Sequence, residues 1–371
     1  MDTPPELTPP VYVTQTQLPT LDDYVNLLED VWQSRTVTNN GPLVRRLEVE
    51  LATFLGVDHL VLVNNGTTAL QLAIKEAGLS GSVVTTPYSY VATTTALIWE
   101  GLFPVFVDID PATGCLNAEA IEAAIRPDTT AILATHVYGF PCDCDAIRRI
   151  ADRYGLRVIY DGAHAFGVKF GGQSLLRRGD CTTLSFHATK VFHTIEGGAI
   201  VTGSEQRAER LRLLRSFGHV HDDYICMGLN GKMSELHAGI GLLNLPRHPE
   251  QTMSRARLYD YYAERLTSLE GLLTILRPPA KIVWNYAYLP VVFSSNAGRE
   301  RAIRALADVG IYPRRYFGQP LNRLPYLPPP AQECPRAERL AERVLCLPFH
   351  AQLASAVIDR IVEVLQTLPL K

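Results

Sequence analysis

Leu60-Val-Leu-Val-Asn-Asn-Gly-Thr-Thr-Ala-Leu70 is the stretch whose reading decides the fold. Leu60–Val63 is a short apolar run of strand length. Asn64–Gly66 makes a tight turn, and a helix-length segment opens at Thr67. A strand feeding directly into a helix is half of a crossover unit, and such units build parallel sheets. The alternation continues downstream: Val83–Thr85 then a helix from Val91, Val105–Val107 then Ala118–Ala124, Ala131–Thr135 then Asp143–Tyr154, and Val158–Tyr160. It predicts an α/β fold with a mostly parallel central sheet and helices on both faces.

The rest of the chain is read outward from that core. Upstream, Leu21, Tyr24, Val25, Leu28 and Val31 form one helical stripe. Asn39-Asn40-Gly41-Pro42 then breaks the chain, with Pro42 in the first turn of a helix up to about Phe54. Downstream come two short apolar runs, Thr183–Phe186 and Ala199–Thr202, a charged helix from Ser204 to Phe217, and a helix from Ser234 that ends before Pro246. From about residue 250 the character changes. Arg255–Leu266 reads as an amphipathic helix, Ile282–Phe293 as strand, Arg299–Val309 as helix, Pro313–Pro330 as a proline- and aromatic-rich loop, and Ser355–Leu368 as the last helix. The expected division is a large α/β domain over residues 1–250, with its N-terminal helical segment, and a smaller α+β domain over 251–371. No internal repeat is visible.

Composition narrows the class. The 371 residues are 47% hydrophobic and 20% charged, enough apolar material for a large core. Lys and Arg number 35 against 38 Asp and Glu, a net charge of −3, which removes the usual footprint of a nucleic-acid binder. The first basic residue is Arg35 and Met1–Pro10 is polar and proline-rich, so no secretory signal is expected. Ala77–Trp99 is uncharged and long enough to span a bilayer, but with Pro87, two glycines, three serines and five threonines it reads as strand, loop and helix. Seven cysteines scattered over the chain make no disulfide framework. These features predict a soluble, cytoplasmic enzyme that binds neither nucleic acid nor membrane.

In such a sheet, ligands sit beyond the carboxyl ends of the strands. Three strand ends carry chemistry. The turn at Gly66 and Thr67 opens a helix whose free N–H groups suit a phosphate; a plain capped turn is the alternative. Asp161 ends a buried apolar run and needs a cation or donors, or else caps the next turn. Lys190 follows Ser185-Phe186-His187-Ala188-Thr189, where desolvation would make its amine a nucleophile; a solvated surface lysine is the alternative. Together the three are what pyridoxal 5'-phosphate requires: a Schiff-base lysine, a carboxylate that keeps the pyridine nitrogen protonated, and a phosphate cradle.

On these residues the sequence resembles the pyridoxal-phosphate sugar aminotransferases of the family named for the DegT, DnrJ, EryC and StrS proteins. The matching stretches are Asn65–Leu70, Thr86–Thr93, Phe106–Asp110, Asp161–Gly167, Ser185–Gly198 and Asn230–Glu235. The resemblance implies the aspartate-aminotransferase-like architecture, pyridoxal-phosphate fold type I. It implies Lys190 as the Schiff-base lysine, with the cofactor passing through pyridoxamine 5'-phosphate during turnover. It makes Asp161 the partner of the ring nitrogen and places His164 beside the phenolic oxygen. Gly66, Thr67 and Ser185 would sit on the phosphate, Tyr90 would stack over the ring, and Asn230 would reach the phosphate from a second subunit of a homodimer. His187, Lys232 and Tyr316 are candidate substrate contacts.

Within the family, Tyr160–Val168, Ser185–Phe192 and Tyr312–Phe317 are most similar to enzymes that aminate dTDP-4-keto-6-deoxyglucose at C4. The resemblance implies L-glutamate as donor and a nucleotide-linked keto sugar as acceptor, for deoxyaminosugar biosynthesis. Lys232 stands where Arg is commoner, and Asn322 where many relatives carry His. They keep amination at C3, a GDP- or UDP-linked sugar, or a non-catalytic cofactor-binding protein as alternatives. Lys190 speaks against the dehydratases of the family, which carry His there.

Other clusters read more plainly. His219, His221 and Asp222 have metal-ligand chemistry but no third cluster at ligand spacing, and no metal is expected. Cys142 and Cys144 lack redox-pair spacing. No Gly-x-Gly-x-x-Gly or Walker pattern follows a strand. Arg314, Arg315 and Arg323 are candidates for a sugar-nucleotide diphosphate, or surface arginines.

Overall fold

The computed structural model describes residues 9–369. Residues 1–8 and 370–371, most of the proline-rich leader and the extreme ends of the two expected domains, lie outside the described residues. A seven-stranded sheet forms the centre: β1 His59–Val63, β2 Ser82–Thr85, β3 Phe103–Phe106, β4 Thr129–Thr135, β5 Arg157–Asp161, β6 Cys181–Ser185 and β7 Gly198–Thr202. Their spatial order is β1-β7-β6-β5-β4-β2-β3. The pairs β2–β3, β2–β4, β4–β5 and β5–β6 are parallel, and β7 runs antiparallel to both neighbours.

Alternation along each strand explains the unbroken apolar runs. Leu60 and Leu62 enter one core with Val84, Ile132, Val158 and Leu184, while Val61 and Val63 enter a second core with Val83, Leu133, Ile159 and Ile200. Successive side chains point to opposite faces, and both faces are covered, so neither parity can be polar. The second core is closed by the helices Gly66–Glu76, Val91–Trp99 and Glu205–Leu214.

A three-stranded antiparallel sheet, Leu273–Ile275, Leu289–Phe293 and Val344–Leu347, forms with the Asn296–Ala307 and Ser355–Gln366 helices the C-terminal layer. Val11–Tyr12 pairs in parallel with Ile311–Tyr312, and Phe349 N–H donates to the Val13 carbonyl at 2.9 Å, so the first described strand is built into that layer. The helix read from Arg255 begins at His248 and runs unbroken to Arg265, across residue 250. Pro249 occupies its first turn, where the missing N–H costs nothing.

Ile282–Phe293 is not one strand. Ile282–Val283 pairs with Lys169–Phe170, Leu289–Phe293 pairs with Leu273–Ile275, and the chain turns between them with Tyr286 at φ 52°. The turn places buried Asn285, whose Nδ2 donates to the carbonyls of His164 (2.8 Å) and Phe166 (2.9 Å), beside Trp284, whose Nε1 donates to the Tyr138 carbonyl (2.8 Å). The tie to the segment after β5 replaces strand continuity.

The Pro42–Leu55 helix also has an unusual start. Gly41 offers no side-chain cap; instead the buried carboxylate of Glu235 accepts from Leu43 N–H (2.7 Å) and Val44 N–H (3.0 Å). A Cβ on Gly41 would sit 2.5 Å from the Glu235 carboxyl carbon, so this cap requires glycine.

Candidate active site

A cavity of about 640 Å³ opens beyond the carboxyl ends of β1, β5 and β6. Its phosphate-like corner is the first turn of the Gly66–Glu76 helix. The Asn65 side chain accepts from Thr68 N–H at 2.8 Å and its carbonyl from Ala69 N–H at 3.1 Å. Those bonds leave the Gly66 and Thr67 N–H groups, at the positive end of the helix, for a ligand. Gly66 packs against β6: a Cβ there would lie 2.8 Å from Ser185 Cβ. No side chain larger than hydrogen fits without moving the strand end that supplies the Ser185 hydroxyl.

Asp161 ends β5 and is 5% exposed. Its Oδ2 accepts from Thr93 Oγ1 at 2.7 Å and its Oδ1 from Ala163 N–H at 3.0 Å. Behind Thr93 lie Ser89 Oγ at 2.7 Å and, 3.0 Å from that, Thr135 Oγ1. Lys190 lines the same cavity, its N–H donating to the His187 carbonyl at 2.9 Å. Burial pushes the Lys190 amine down to about 8, against the charge of Asp161, which holds it up. A neutral, nucleophilic amine is therefore accessible near neutral pH.

His164 Nδ1 accepts from Tyr138 N–H at 3.1 Å, which leaves its proton on Nε2. Burial, and secondarily the cation at Lys190, push the imidazole well below its ordinary range, so it is neutral. The ring lies parallel to Phe317 (3° between planes, centroids 5.8 Å) and 4.7 Å from the Tyr288 ring. Tyr90, 59% exposed, stands at the start of the Val91–Trp99 helix with its side chain on the cavity.

The opposite rim is more polar and more open. His187 Nδ1 lies 2.9 Å from Thr189 Oγ1 and its Nε2 3.7 Å from Glu196 Oε1. Arg314 Nη1 donates to the Tyr316 hydroxyl at 2.8 Å. All five residues line the cavity. The Tyr316 carbonyl is held from behind by the Tyr138 hydroxyl, itself 2.6 Å from the Tyr88 hydroxyl.

The structure thus brings together Gly66, Thr67, Tyr90, Asp161, His164, Ser185, His187, Lys190 and Tyr316, read from separate stretches of sequence. Asn230 and Lys232 are not in the lining: the Asn230 carbonyl accepts from Asn64 Nδ2 at 3.4 Å, and Lys232 Nζ lies 4.9 Å from the centroid of the Phe217 ring. Asn322 is buried in a structural tie, its Nδ2 donating to the Gln332 carbonyl and to Glu338 Oε1, both at 2.7 Å. Of the three arginines considered for a diphosphate, only Arg314 reaches the cavity; Arg315 pairs with Glu300 and Arg323 with Glu338. His219 and Asp223 sit on an exposed two-stranded hairpin. Among the described residues, no group of three or more His, Cys, Asp or Glu side chains could hold a metal ion, and no helix is long and apolar enough to cross a membrane.

The hydroxyls of Ser89, Thr93 and Thr135 were not legible as site residues, nor were Tyr138, Glu196, Tyr288 and Phe317. Ser89, Thr93, Glu196 and Phe317 lie inside the matched stretches, but Ser and Thr in the loop after β2 read as ordinary turn composition.

Comparison with known proteins identifies the family. The family model described as the DegT/DnrJ/EryC1/StrS aminotransferase family matches residues 21–366. A Shigella dysenteriae protein named dTDP-4-amino-4,6-dideoxy-D-glucose transaminase is 42% identical over 364 residues, 97% of this chain and 99% of its own. An Escherichia coli protein of the same name is 37% identical, over 95% of this chain and 97% of its own. Among solved structures, DesI in the presence of its TDP-sugar product superposes with a TM-score of 0.92 at 35% identity, covering 98% of this chain and 94% of that one.

Proposed function

The chain belongs to the DegT/DnrJ/EryC1/StrS aminotransferase family, and from that premise we propose that it is a pyridoxal-phosphate enzyme that transfers the amino group of L-glutamate to C4 of a dTDP-linked 4-keto-6-deoxy sugar. The product would be the dTDP-4-amino-4,6-dideoxyhexose for which the Shigella and Escherichia relatives are named. The carrying observation is that Lys190, Asp161 and the Gly66–Thr67 turn, drawn from three strand ends, line one cavity.

The residues fit the cofactor. The helix start is a phosphate cradle that a Cβ at position 66 would fill, and the buried carboxylate of Asp161 suits a protonated ring nitrogen. When bound, pyridoxal 5'-phosphate supplies an electron sink for the pair left when a Cα–H bond breaks. In this reading the Gly66 and Thr67 N–H groups and the Ser185 hydroxyl hold the phosphate. Asp161 would keep the proton on the ring nitrogen, neutral His164 would direct its Nε2–H to the phenolic oxygen, and Tyr90 would cover the ring. Lys190 would hold the aldehyde carbon, and its amine, once free, would move a proton between the donor Cα and that carbon, as base and then acid. His187 and Tyr316, on the open side of the cavity, would face the keto sugar.

The proposal includes a homodimer in which Asn230 reaches the phosphate of the partner's cavity, with Lys232 near the nucleotide sugar. It includes the division near residue 250 and a cytoplasmic location. The test is direct. Purified protein should be yellow and should bleach with L-glutamate; incubation with dTDP-, GDP- and UDP-linked 3- and 4-keto sugars, read by mass and NMR, should give the 4-amino dTDP sugar. Protein that stays colourless with added cofactor overturns the reading. Turnover of a 3-keto or non-dTDP sugar alone would correct its substrate.

A further inference from the structure

The contacts behind Asp161 have a direction. A carboxylate only accepts, so the Thr93 hydroxyl spends its single proton on Oδ2 at 2.7 Å. The 2.7 Å contact between Thr93 and Ser89 must then use the proton of Ser89. With that proton spent, Ser89 accepts from Thr135 Oγ1 at 3.0 Å. Three hydroxyl protons therefore point the same way, Thr135 to Ser89 to Thr93 to Asp161. Ser89, Thr93 and Thr135 are 2%, 0% and 3% exposed, so water does not compete and each bond polarises the next. The chain joins three elements. Thr135 ends β4 and is in register with Asp161 on β5, Thr93 lies in the first turn of the Val91–Trp99 helix, and Ser89 immediately precedes Tyr90. With Ala163 N–H on Oδ1, the carboxylate is fixed from behind on both oxygens.

We infer that Thr93, Ser89 and Thr135 are positioning residues: an aligned hydroxyl chain that sets the orientation of the Asp161 carboxylate, so that it grips the ring nitrogen of a bound pyridine cofactor. This rests on the pyridoxal-phosphate reading above. Because the chain acts through one atom of the ligand, its effect must vanish when that atom is carbon.

The experiment measures equilibrium binding of pyridoxal 5'-phosphate, of its 1-deaza analogue and of inorganic phosphate to the full chain. Thr93→Val removes the hydroxyl at constant shape and should weaken cofactor binding about 10-fold, the scale of one hydrogen bond to a charged group. Thr93→Ser should restore it to within about twofold, and Ser89→Ala, one bond further back, should cost about threefold. The deaza analogue and phosphate should bind wild type and variants alike. Equal cofactor affinity for wild type and Thr93→Val, or equal loss of the deaza analogue, overturns the inference. If Thr93→Val does not fold, Ser89→Ala carries the test, and its indifference to the ring nitrogen overturns the inference in the same way. A wild-type chain that binds no pyridoxal phosphate overturns the functional reading along with it, whereas tight wild-type binding with indifferent variants overturns this inference alone.

Discussion

The two walls of the cavity are built differently. The wall at Asp161 comes from the ends of sheet strands and one helix start, and the Asp161 carboxylate is buried and matched to donors on both oxygens before any ligand arrives. The wall at His187, Glu196, Arg314 and Tyr316 comes from loops, and its groups are half-exposed and paired mainly with one another. Fixed dipoles in a dry environment suit chemistry that is the same for every substrate, while an open rim of exchangeable polar contacts suits recognition of one sugar among many. The first wall should therefore tolerate almost no substitution, and the second should trade affinity without losing the reaction.

Breaking the buried wall should give the largest effects. Lys190→Ala should abolish glutamate-driven bleaching, a loss of at least about 10³-fold in single-turnover rate, since the proposed nucleophile and proton shuttle would both be gone. Asp161→Asn keeps the shape but removes the charge, and should slow the same half-reaction about 10²-fold, read by stopped-flow absorbance. A variant of either kind with wild-type rates would dissolve the distinction between the walls.

The lysine sharpens the comparison through pH. Only the neutral amine attacks an aldehyde, and Lys190 loses its proton near 8 instead of near 10.5. The rate at which cofactor attaches to ligand-free protein should therefore rise about tenfold per pH unit below 8 and level off above it. A rate still climbing at pH 10 would place this lysine in solvent. The linked stability has the same sense. Below pH 8 the folded chain holds a partly desolvated ammonium; between 8 and 10.5 the folded lysine is neutral while the unfolded one is not, so this residue favours folding increasingly as pH rises through that window.

The smallest effect belongs to the open rim. Tyr316→Phe removes the hydroxyl that Arg314 contacts and should raise KM for the keto sugar about threefold, with the glutamate half-reaction unchanged. A kcat loss with unaltered KM would move Tyr316 to the chemical side.

The same contrast governs what the sequence discloses. Asp161, a charged residue ending a buried strand, is conspicuous because it needs a reason to be there, and so it stood out as a candidate, with Lys190 drawn in from the loop beyond the next strand. Threonine and serine in a turn need none, so the chain behind Asp161 was invisible although Thr93 lay in a matched motif. The apolar runs were legible because both faces of the sheet are covered. The antiparallel direction of β7 was not, since periodicity carries no sign. The break at Asn285 was hidden because Trp284, Tyr286 and Tyr288 are as compatible with a strand as with the tie they form. The cap that Glu235 provides to a helix nearly two hundred residues earlier is long-range by nature, and no local pattern announces it.

The pairing of Val11–Tyr12 with Ile311–Tyr312 has a consequence in time. A chain emerging from the ribosome exposes its N-terminal strand three hundred residues before the strand that receives it. At about 5–20 residues per second that is a wait on the order of 15–60 s, during which the sheet built from residues 59–202 can already form. The N-terminal strand is then a late seal, laid over a finished scaffold. A fusion partner that holds it elsewhere should leave the strand ends at Gly66, Asp161 and Ser185 in place and the C-terminal layer unlatched.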